Sequence, residues 1–124
     1  MNTTEALTTP RSVVLAMSQI AASQIAQEMR TIGCSVVGAS SVADVDSCLA
    51  KLTGRLLVLT EISFPDGNWR DLIHRTQPQH SRTLFILCSA TRTAELWWDA
   101  LDCEISDILT PPYSVPDVMR MMLP

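Results

Sequence analysis

A chain of 124 residues, 47% of them hydrophobic and 18% charged, has the composition of one soluble globular domain rather than of a disordered or fibrous protein. Its net charge of −4 at pH 7 argues against direct contact with the phosphate backbone of a nucleic acid. No apolar run approaches the roughly 20 residues of a membrane-spanning helix, and residues 1–10 lack the apolar stretch of a secretory signal, so we expect a cytoplasmic protein without a membrane role.

Apolar runs and helical stripes alternate along the chain. Residues 1–10 are rich in threonine and show no period, so we predict a flexible N-terminal arm there and a single domain over residues 11–124. Within that domain, short β-branched runs indicate strands, and apolar residues spaced three or four apart indicate helices. The predicted strands are 12–17, 35–39, 55–61, 83–89 and 105–109, and the predicted helices are 19–31, 42–52, 68–76, 93–102 and 115–123.

This alternation predicts an α/β fold in which a parallel sheet is covered by helices on both faces. For a sheet of this size the favoured arrangement is the flavodoxin-like strand order 2-1-3-4-5. The carboxyl ends of the strands then meet at one edge, where open α/β folds place their ligands. The loops that follow Met17, Glu61, Ser89 and Leu109 therefore form the predicted functional edge.

Three segments carry a family resemblance. They are residues 57–67 (LVLTEISFPDG), 85–90 (FILCSA) and 106–113 (SDILTPPY). In their spacing they resemble the strand-three acceptor segment, the strand-four hydroxyl position and the strand-five Lys-Pro-aromatic ending of bacterial response-regulator receiver domains, the CheY-like family. The resemblance implies a CheY-like fold with phosphotransfer chemistry at the predicted edge.

The chain departs from the receiver pattern at most positions that carry the chemistry. A receiver uses an acidic pair after its first strand to hold Mg²⁺, an aspartate as phosphoryl acceptor, a hydroxyl and a lysine. The resemblance places Met17 and Ser18 at the acidic pair and Glu61 at the acceptor. Pro111 stands at the lysine position, and Ser89 keeps the hydroxyl. We therefore predict a degenerate phosphoacceptor site in a pseudo-receiver that is not an enzyme and binds neither a metal nor a cofactor.

Alternatives remain for the acidic residues. Glu61 either imitates a phosphorylated aspartate by reaching Ser89, or caps the end of its strand in a solvated notch. The alternative function is a working phosphoacceptor receiver of a two-component system that uses Glu61 or Asp66. Asp66 lies within Pro-Asp-Gly, however, which is a strong turn signature. Residues 18–23 stand where flavodoxins bind the flavin phosphate but contain no glycine, which argues against a flavin or nucleotide carrier.

The fourth predicted helix contains an adjacent tryptophan pair. Its predicted buried face consists of Ala94, Trp97, Ala100 and Leu101. Trp98 then shares the solvent side with Glu95 and Asp102, and an exposed tryptophan is typical of interfaces. Because receivers bind partners through the fourth helix, fifth strand and fifth helix, the resemblance adds Tyr113 and Met121 to this interface. We expect a signalling or regulatory protein as partner, or a second copy in a homodimer; the alternative is that Trp98 lies flat over the seam beside the fifth strand.

A subfamily resemblance involves residues 29–36 and 102–112. These segments are similar to the degenerate receiver of amide-responsive antiterminators of the ANTAR type. Those regulators are controlled by a protein partner rather than by phosphate, and they carry an RNA-binding tail after the receiver. The resemblance implies a role in signal transduction or transcription control.

The remaining predictions concern packing. The cysteines are widely spaced, without a C-x-x-C pair, and each lies in or beside an apolar segment, so we expect buried free thiols in a reducing compartment. They are Cys34, Cys48, Cys88 and Cys103. Trp69 opens the third predicted helix and is expected to cover the loop after Glu61.

Overall fold

Strands and helices alternate along the chain in the computed structural model, which describes residues 10–76, 83–105 and 107–122. The strands are β1 (Ser12–Ala16), β2 (Ser35–Ala39), β3 (Leu56–Thr60), β4 (Ser63–Phe64), β5 (Gly67–Asn68), β6 (Thr83–Cys88) and β7 (Asp107–Leu109). The helices are α1 (Gln19–Thr31), α2 (Val42–Lys51), α3 (Trp69–Thr76), α4 (Ala94–Asp102) and α5 (Val115–Met122). Each predicted strand and helix is present, with small differences at the ends. The predictions for residues 1–9, 106 and 123–124 lie outside the described residues.

The main sheet is parallel and has the order β2-β1-β3-β6-β7. This confirms the predicted order 2-1-3-4-5, because β4 and β5 form a separate two-residue-per-strand hairpin. The two central strands β1 and β3 are buried at every position, as continuous apolar runs in parallel sheets require. The carboxyl ends of the strands therefore meet at one edge, and Glu61 directly follows the central strand β3.

Two hydrophobic cores lie on opposite faces of the sheet because side chains alternate along each strand. The first core contains Val14 and Val58 and is covered by α2, α3 and α4. The second core contains Leu15 and Leu59 and is covered by α1 and α5. The predicted helices on both faces of the sheet are thus confirmed. The two cores hold the strands from both faces and so fix the strand ends at the functional edge.

Serine and threonine caps set the starts of three helices. The Ser18 hydroxyl accepts a hydrogen bond from the Ala21 amide at the start of α1, and the Ser41 hydroxyl does the same for Asp44 in α2. Thr93 caps α4 in the same way. Each cap satisfies an amide that the helix itself leaves unpaired.

Trp69 lies in the first core, and Phe64 of the loop after Glu61 packs against the same core. The Trp69 side chain is 2% exposed. The β4–β5 hairpin takes up that loop, and the Trp69 amide donates to the Ile62 carbonyl at 2.9 Å, which starts α3 with the indole turned inward. Pro10, which was predicted to belong to the flexible arm, is instead buried, and its carbonyl accepts the Cys34 thiol at 3.3 Å.

The cysteines are free, as predicted. Cys34 and Cys88 are buried, whereas Cys48 and Cys103 are only half-buried. Burial raises the pKa of the Cys88 thiol to about 12, and the nearby Glu61 carboxylate acts in the same direction. Among the helices that the structure describes, none is long and apolar enough to cross a membrane.

Candidate functional site

The carboxylate of Glu61 binds the start of helix α1. Its Oε1 atom accepts a hydrogen bond from the Ser18 amide at 2.9 Å, across 43 residues of sequence. The Glu61 amide in turn donates to the Ala16 carbonyl at 2.9 Å, so its backbone is tied to the end of β1 and its side chain to the start of α1. Helix N-termini favour anions because their first amides are unpaired and the helix dipole is positive there. Glu61 therefore supplies, from within the chain, the negative charge that this helix end attracts.

The residues that follow β1 provide an amide and an apolar side chain. Met17 is 6% exposed and belongs to the second core. Ser18 is exposed, and its hydroxyl accepts the Ala21 amide at 3.3 Å. The position that the receiver resemblance assigns to a Mg²⁺-binding acidic pair thus holds a core methionine and a helix cap.

Ser89 lies at the end of β6 and is 4% exposed. Its amide donates to the Leu109 carbonyl at 3.0 Å, which holds it beside β7. Its hydroxyl accepts the Thr91 amide at 3.1 Å and lies 3.4 Å from the Thr91 hydroxyl. The hydrogen bond of the Glu61 carboxylate goes to the α1 side of the notch, and those of the Ser89 hydroxyl stay within its own turn. The carboxylate of Glu61 therefore binds the start of α1, which neither alternative predicted, instead of the Ser89 hydroxyl that mimicry requires.

Pro111 is exposed beyond the end of β7, and the Pro111-Pro112 peptide bond is cis. Proline offers neither an ammonium group nor an amide proton at the position where a receiver has its lysine. Tyr113 follows, half-buried against the second core. Burial raises the pKa of Tyr113 to about 12, and Cys88 and Glu61 act in the same direction.

Asp66 occupies the turn of the β4–β5 hairpin and caps a second helix. Its carboxylate oxygens accept the Val42 amide at 2.8 Å and the Ala43 amide at 3.1 Å, at the start of α2. These two hydrogen bonds lower the pKa of Asp66, because they favour the charged form. Phe64 and Gly67 pair across the turn, in agreement with the predicted Pro-Asp-Gly turn.

The described side chains near the notch contain no metal-binding cluster. Within residues 10–76, 83–105 and 107–122, no group of three or more histidine, cysteine, aspartate or glutamate side chains is placed to hold a metal ion. Glu61 and Asp66 each contact a different helix start, α1 and α2 respectively. The acidic groups of this edge therefore act in the structure as separate helix caps.

Two apolar side chains at this edge were missed in the sequence. Ile20 is 79% exposed in the first turn of α1, and Ile62 is 38% exposed next to Glu61. The Ser18–Glu61 hydrogen bond holds the start of α1, which carries Ile20, to the residue next to Ile62. Helical period could have found Ile20, because it lies off the stripe of Ala22, Ile25 and Met29 that faces the second core.

Helix α4 presents Trp98 to solvent, as predicted. Trp98 is 66% exposed, and Leu101, one turn further, is 44% exposed. Glu95 and Asp102 are exposed on the same helix, whereas Tyr113 and Met121 are half-buried against the second core. Of the predicted interface residues, Glu95, Trp98 and Asp102 thus lie on exposed positions of α4, and Tyr113 and Met121 contribute only partial surface.

The predicted buried face of α4 was partly wrong. Ala94 and Leu101 are exposed, and the residues that pack on the first core are Leu96, Trp97, Ala100 and Cys103. The guanidinium carbon of Arg92 lies 5.7 Å from the centre of the Trp97 ring, and Arg92 also pairs with Asp107 of β7 at 3.2 Å. The buried side of the helix thus lies toward Leu96, and Leu101 lies beside Trp98 on the outside.

The fold can now be compared with known proteins. No protein-family model matches the chain, and no curated protein matches it in sequence. A two-component response regulator from Clostridium difficile superposes with a TM-score of 0.78 at 13% identity, covering 90% of this chain and 90% of the other. The chemotaxis response regulator CheY4 of Vibrio cholerae gives 0.77 at 12% identity, covering 92% and 98%.

A third structure agrees with these two. The signal receiver domain of an HD domain-containing protein from Pseudomonas fluorescens Pf-5 has a TM-score of 0.76 at 18% identity, covering 90% of this chain and 82% of the other. The chain has the receiver-domain fold. At these identities the likeness establishes the fold alone, so the chemistry must be argued from the site residues.

Proposed function

We propose that this receiver-like domain is a phosphorylation-independent pseudo-receiver, a cytoplasmic protein–protein interaction module of bacterial signal transduction or transcription control. The observation that carries the proposal is the 2.9 Å hydrogen bond from the Ser18 amide to the Glu61 carboxylate. A phosphoryl acceptor must present its carboxylate to an incoming phosphoryl group. In this domain the carboxylate is already used to hold the N-terminus of α1.

The charges around Glu61 support the same proposal. A phosphorylated carboxylate carries about two negative charges in place of one, and receivers offset them with Mg²⁺ and a lysine. Here Met17 and Ser18 occupy the position of the acidic pair, and Pro111 occupies that of the lysine. Lys51, the only lysine in the sequence, lies on α2. A phosphoryl group on Glu61 therefore has poor electrostatic compensation among the described side chains.

The interaction role is supported by the surface of α4. Trp98 and Leu101 are 66% and 44% exposed and are spaced three apart, so they form one apolar strip on the helix. Glu95 and Asp102 flank this strip with negative charge. Its partner should therefore offer an apolar pocket for the Trp98 side chain and basic side chains at the rim of that pocket, because interfaces pair apolar with apolar groups and opposite charges with each other.

The regulator class is a further part of the proposal. Residues 29–36 and 102–112 resemble the degenerate receiver of ANTAR-type antiterminators, in which a protein partner sets the activity. The alternative function, a working phosphoacceptor that uses Glu61 or Asp66, requires that one of two helix-capping carboxylates be released for reaction. Both carboxylates accept amide hydrogen bonds in the structure, which favours the phosphorylation-independent role.

Phosphorylation is tested by incubating the protein with acetyl phosphate and Mg²⁺ and measuring its intact mass at neutral pH. The proposal predicts no phosphorylated species. A phosphorylated species that disappears in Glu61→Gln or in Asp66→Asn would instead support the alternative and identify its acceptor.

The interface is tested by partner capture from the native cell with the wild type and with Trp98→Ala, identifying both protein and RNA. We expect one protein to be captured by the wild type and lost with Trp98→Ala. Ile32→Ala, which removes another exposed apolar side chain (42% exposed) directly after α1, is the matched control and should retain the partner. Loss of the partner in both variants, or in neither, would contradict the assignment to α4.

A further inference from the structure

Strand β2 forms an open edge of the main sheet. In the strand order it is paired only with β1. The Ser35 amide donates to the Arg11 carbonyl at 3.1 Å, so Ser35 directs its backbone groups toward β1. Backbone groups of successive strand residues point to opposite sides, so Val36 and Gly38 direct theirs away from the sheet. This edge therefore offers two amide donors and two carbonyl acceptors to an incoming strand.

The edge lacks the usual protection against strand pairing. Natural proteins block open edges with charged residues, proline, bulges or very short strands. Strand β2 (Ser35–Ala39) has no charged residue and no proline, and all five of its residues pair regularly with β1. By contrast, the opposite edge strand β7 is three residues long and carries Asp107, which pairs with Arg92.

A groove accompanies this edge on the α2 side. It has a volume of about 490 Å³. Its lining residues are Val37, Gly38, Asp44, Ser47, Cys48, Lys51 and Leu52. Gly38 is exposed, and a Cβ atom placed there would meet no atom within 4 Å, so there is free space beside this residue. The groove can accept the side chains that a paired strand places beside Val37.

The charges that line the groove are self-complementary. Asp44 lies in the first turn of α2 and Lys51 at its last residue, and both face the groove. When two copies pair their β2 strands antiparallel about a two-fold axis, their α2 helices also run antiparallel, so Asp44 of each copy approaches Lys51 of the other. Among the described residues, Lys51 takes part in none of the ion pairs. A second copy thus supplies a carboxylate for this ammonium group.

We propose that the β2 edge is a homodimerisation surface. Two copies pair their β2 strands antiparallel, so that their two sheets form one continuous sheet. With the axis at Val37, the outward groups of Val36 in one copy face those of Gly38 in the other. This register forms four interchain hydrogen bonds and places the two Val37 side chains against each other, as a β-branched cross-strand pair. Helix α4 packs at the opposite side of the sheet, against β7, so the dimer would present two copies of the Trp98 surface. The inference does not depend on the proposed function.

The test is the oligomeric state of matched variants at Gly38, measured by sedimentation velocity over a range of protein concentrations. We expect the wild type and Gly38→Ala to form a concentration-dependent dimer, because alanine keeps the amide proton. Gly38→Pro removes one donor from each copy and should weaken dimerisation by about thirtyfold or more. Trp98→Ala should leave this dimer unchanged, which separates it from association through α4.

The charge arrangement provides a second test. Lys51→Glu places two carboxylates together at each end of the junction and should weaken the dimer, whereas combining it with Asp44→Lys should restore it. A wild type that stays monomeric at every concentration, or a dimer that Gly38→Pro and Lys51→Glu leave intact, would overturn the proposal. If Gly38→Pro does not fold, amide hydrogen exchange of the wild type decides: the Val36 and Gly38 amides must become protected as concentration rises, and unchanged exchange in a dimer would also overturn it.

Discussion

Replacing Glu61 with alanine removes the side-chain hydrogen bond that ties the end of β3 to the start of α1. Loss of a side-chain cap at a helix N-terminus typically costs about 1 kcal/mol of unfolding free energy. Loss of the negative charge near the helix dipole adds about 0.5 kcal/mol, reduced by solvent because Glu61 is only half-buried. We therefore expect Glu61→Ala to lower the free energy of unfolding by about 1–2 kcal/mol, which is about 4 °C in Tm per kcal/mol for a domain of this size.

Related variants divide this loss into its parts. Glu61→Gln keeps an oxygen acceptor but removes the charge, so its effect should be about half that of alanine. Glu61→Asp is one methylene shorter and should behave more like alanine, because its carboxylate falls short of the Ser18 amide. Urea and thermal unfolding followed by circular dichroism measure all three. Glu28→Ala, an exposed acidic residue on α1, is the control and should change stability by less than about 0.5 kcal/mol.

The sign of the effect separates a structural carboxylate from a poised phosphoacceptor. In a working acidic site without its metal, neighbouring carboxylates repel one another, so neutralising one of them stabilises the fold. A Glu61→Ala or Glu61→Gln protein with a higher Tm than the wild type would therefore refute the capping role. The 2.9 Å hydrogen bond predicts that Glu61→Ala has the lowest Tm, Glu61→Gln an intermediate Tm and the wild type the highest.

Three other predictions concern packing and titration. Trp69→Ala should cost about 3–5 kcal/mol in urea unfolding because the indole is 2% exposed in the core, whereas Trp98→Ala, at 66% exposed, should change stability by less than about 0.5 kcal/mol; equal effects would contradict the burial of these side chains. Tyr113 is the only tyrosine, so absorbance near 295 nm should show one ionisation with a pKa of about 12, and a midpoint near 10 would contradict its burial. Because burial raises the pKa of Tyr113 in the folded protein, the stability that it contributes is present below pH 10 and is lost as the pH rises through 12. Asp66 has a lowered pKa, so the stability that it contributes is present above pH 3.8 and is lost as the pH falls further. Asp66→Ala should therefore lower Tm at neutral pH and make the decrease of Tm in acid less steep. A Tm that decreases in acid as it does in the wild type would argue against the cap on α2.

The strands and most helix boundaries could be predicted because their signals are local. The run Leu56–Thr60 is apolar throughout, as a strand buried on both faces must be, and Ser18 and Thr93 are capping residues directly before their helices. The parallel order followed from the alternation of strands and helices. These signals depend on residues that are neighbours in sequence.

The errors arose where distant residues decide the structure. Helical period places Ala94 and Leu101 on one stripe, but in the folded domain both are exposed and Leu96 packs on the first core instead. The burial of Trp69, which is 2% exposed, likewise depends on residues far along the chain that form the first core around it.

The candidate site was predicted in position but not in detail. The sequence places Glu61 at the carboxyl edge of the sheet, and it shows that Pro111 replaces the lysine of receivers. It does not show which way the carboxylate turns, because Ser18 is 43 residues away and Ser89 was an equally available partner. Only the packing of β1 against β3 brings the α1 start within hydrogen-bonding distance.

The most direct test of the phosphorylation-independent role is a titration of the isotopically labelled protein with Mg²⁺ and beryllofluoride, followed through the amide resonances of Ser18, Glu61 and Ser89. Beryllofluoride occupies the acceptor site of a receiver only when the carboxylate, the metal and the lysine act together. Fluoride with Mg²⁺ alone is the control for salt effects. We predict that the three resonances do not move beyond this control. A saturable shift centred on Glu61 and Ser89 would contradict the pseudo-receiver assignment and show that the site still accepts a phosphoryl group.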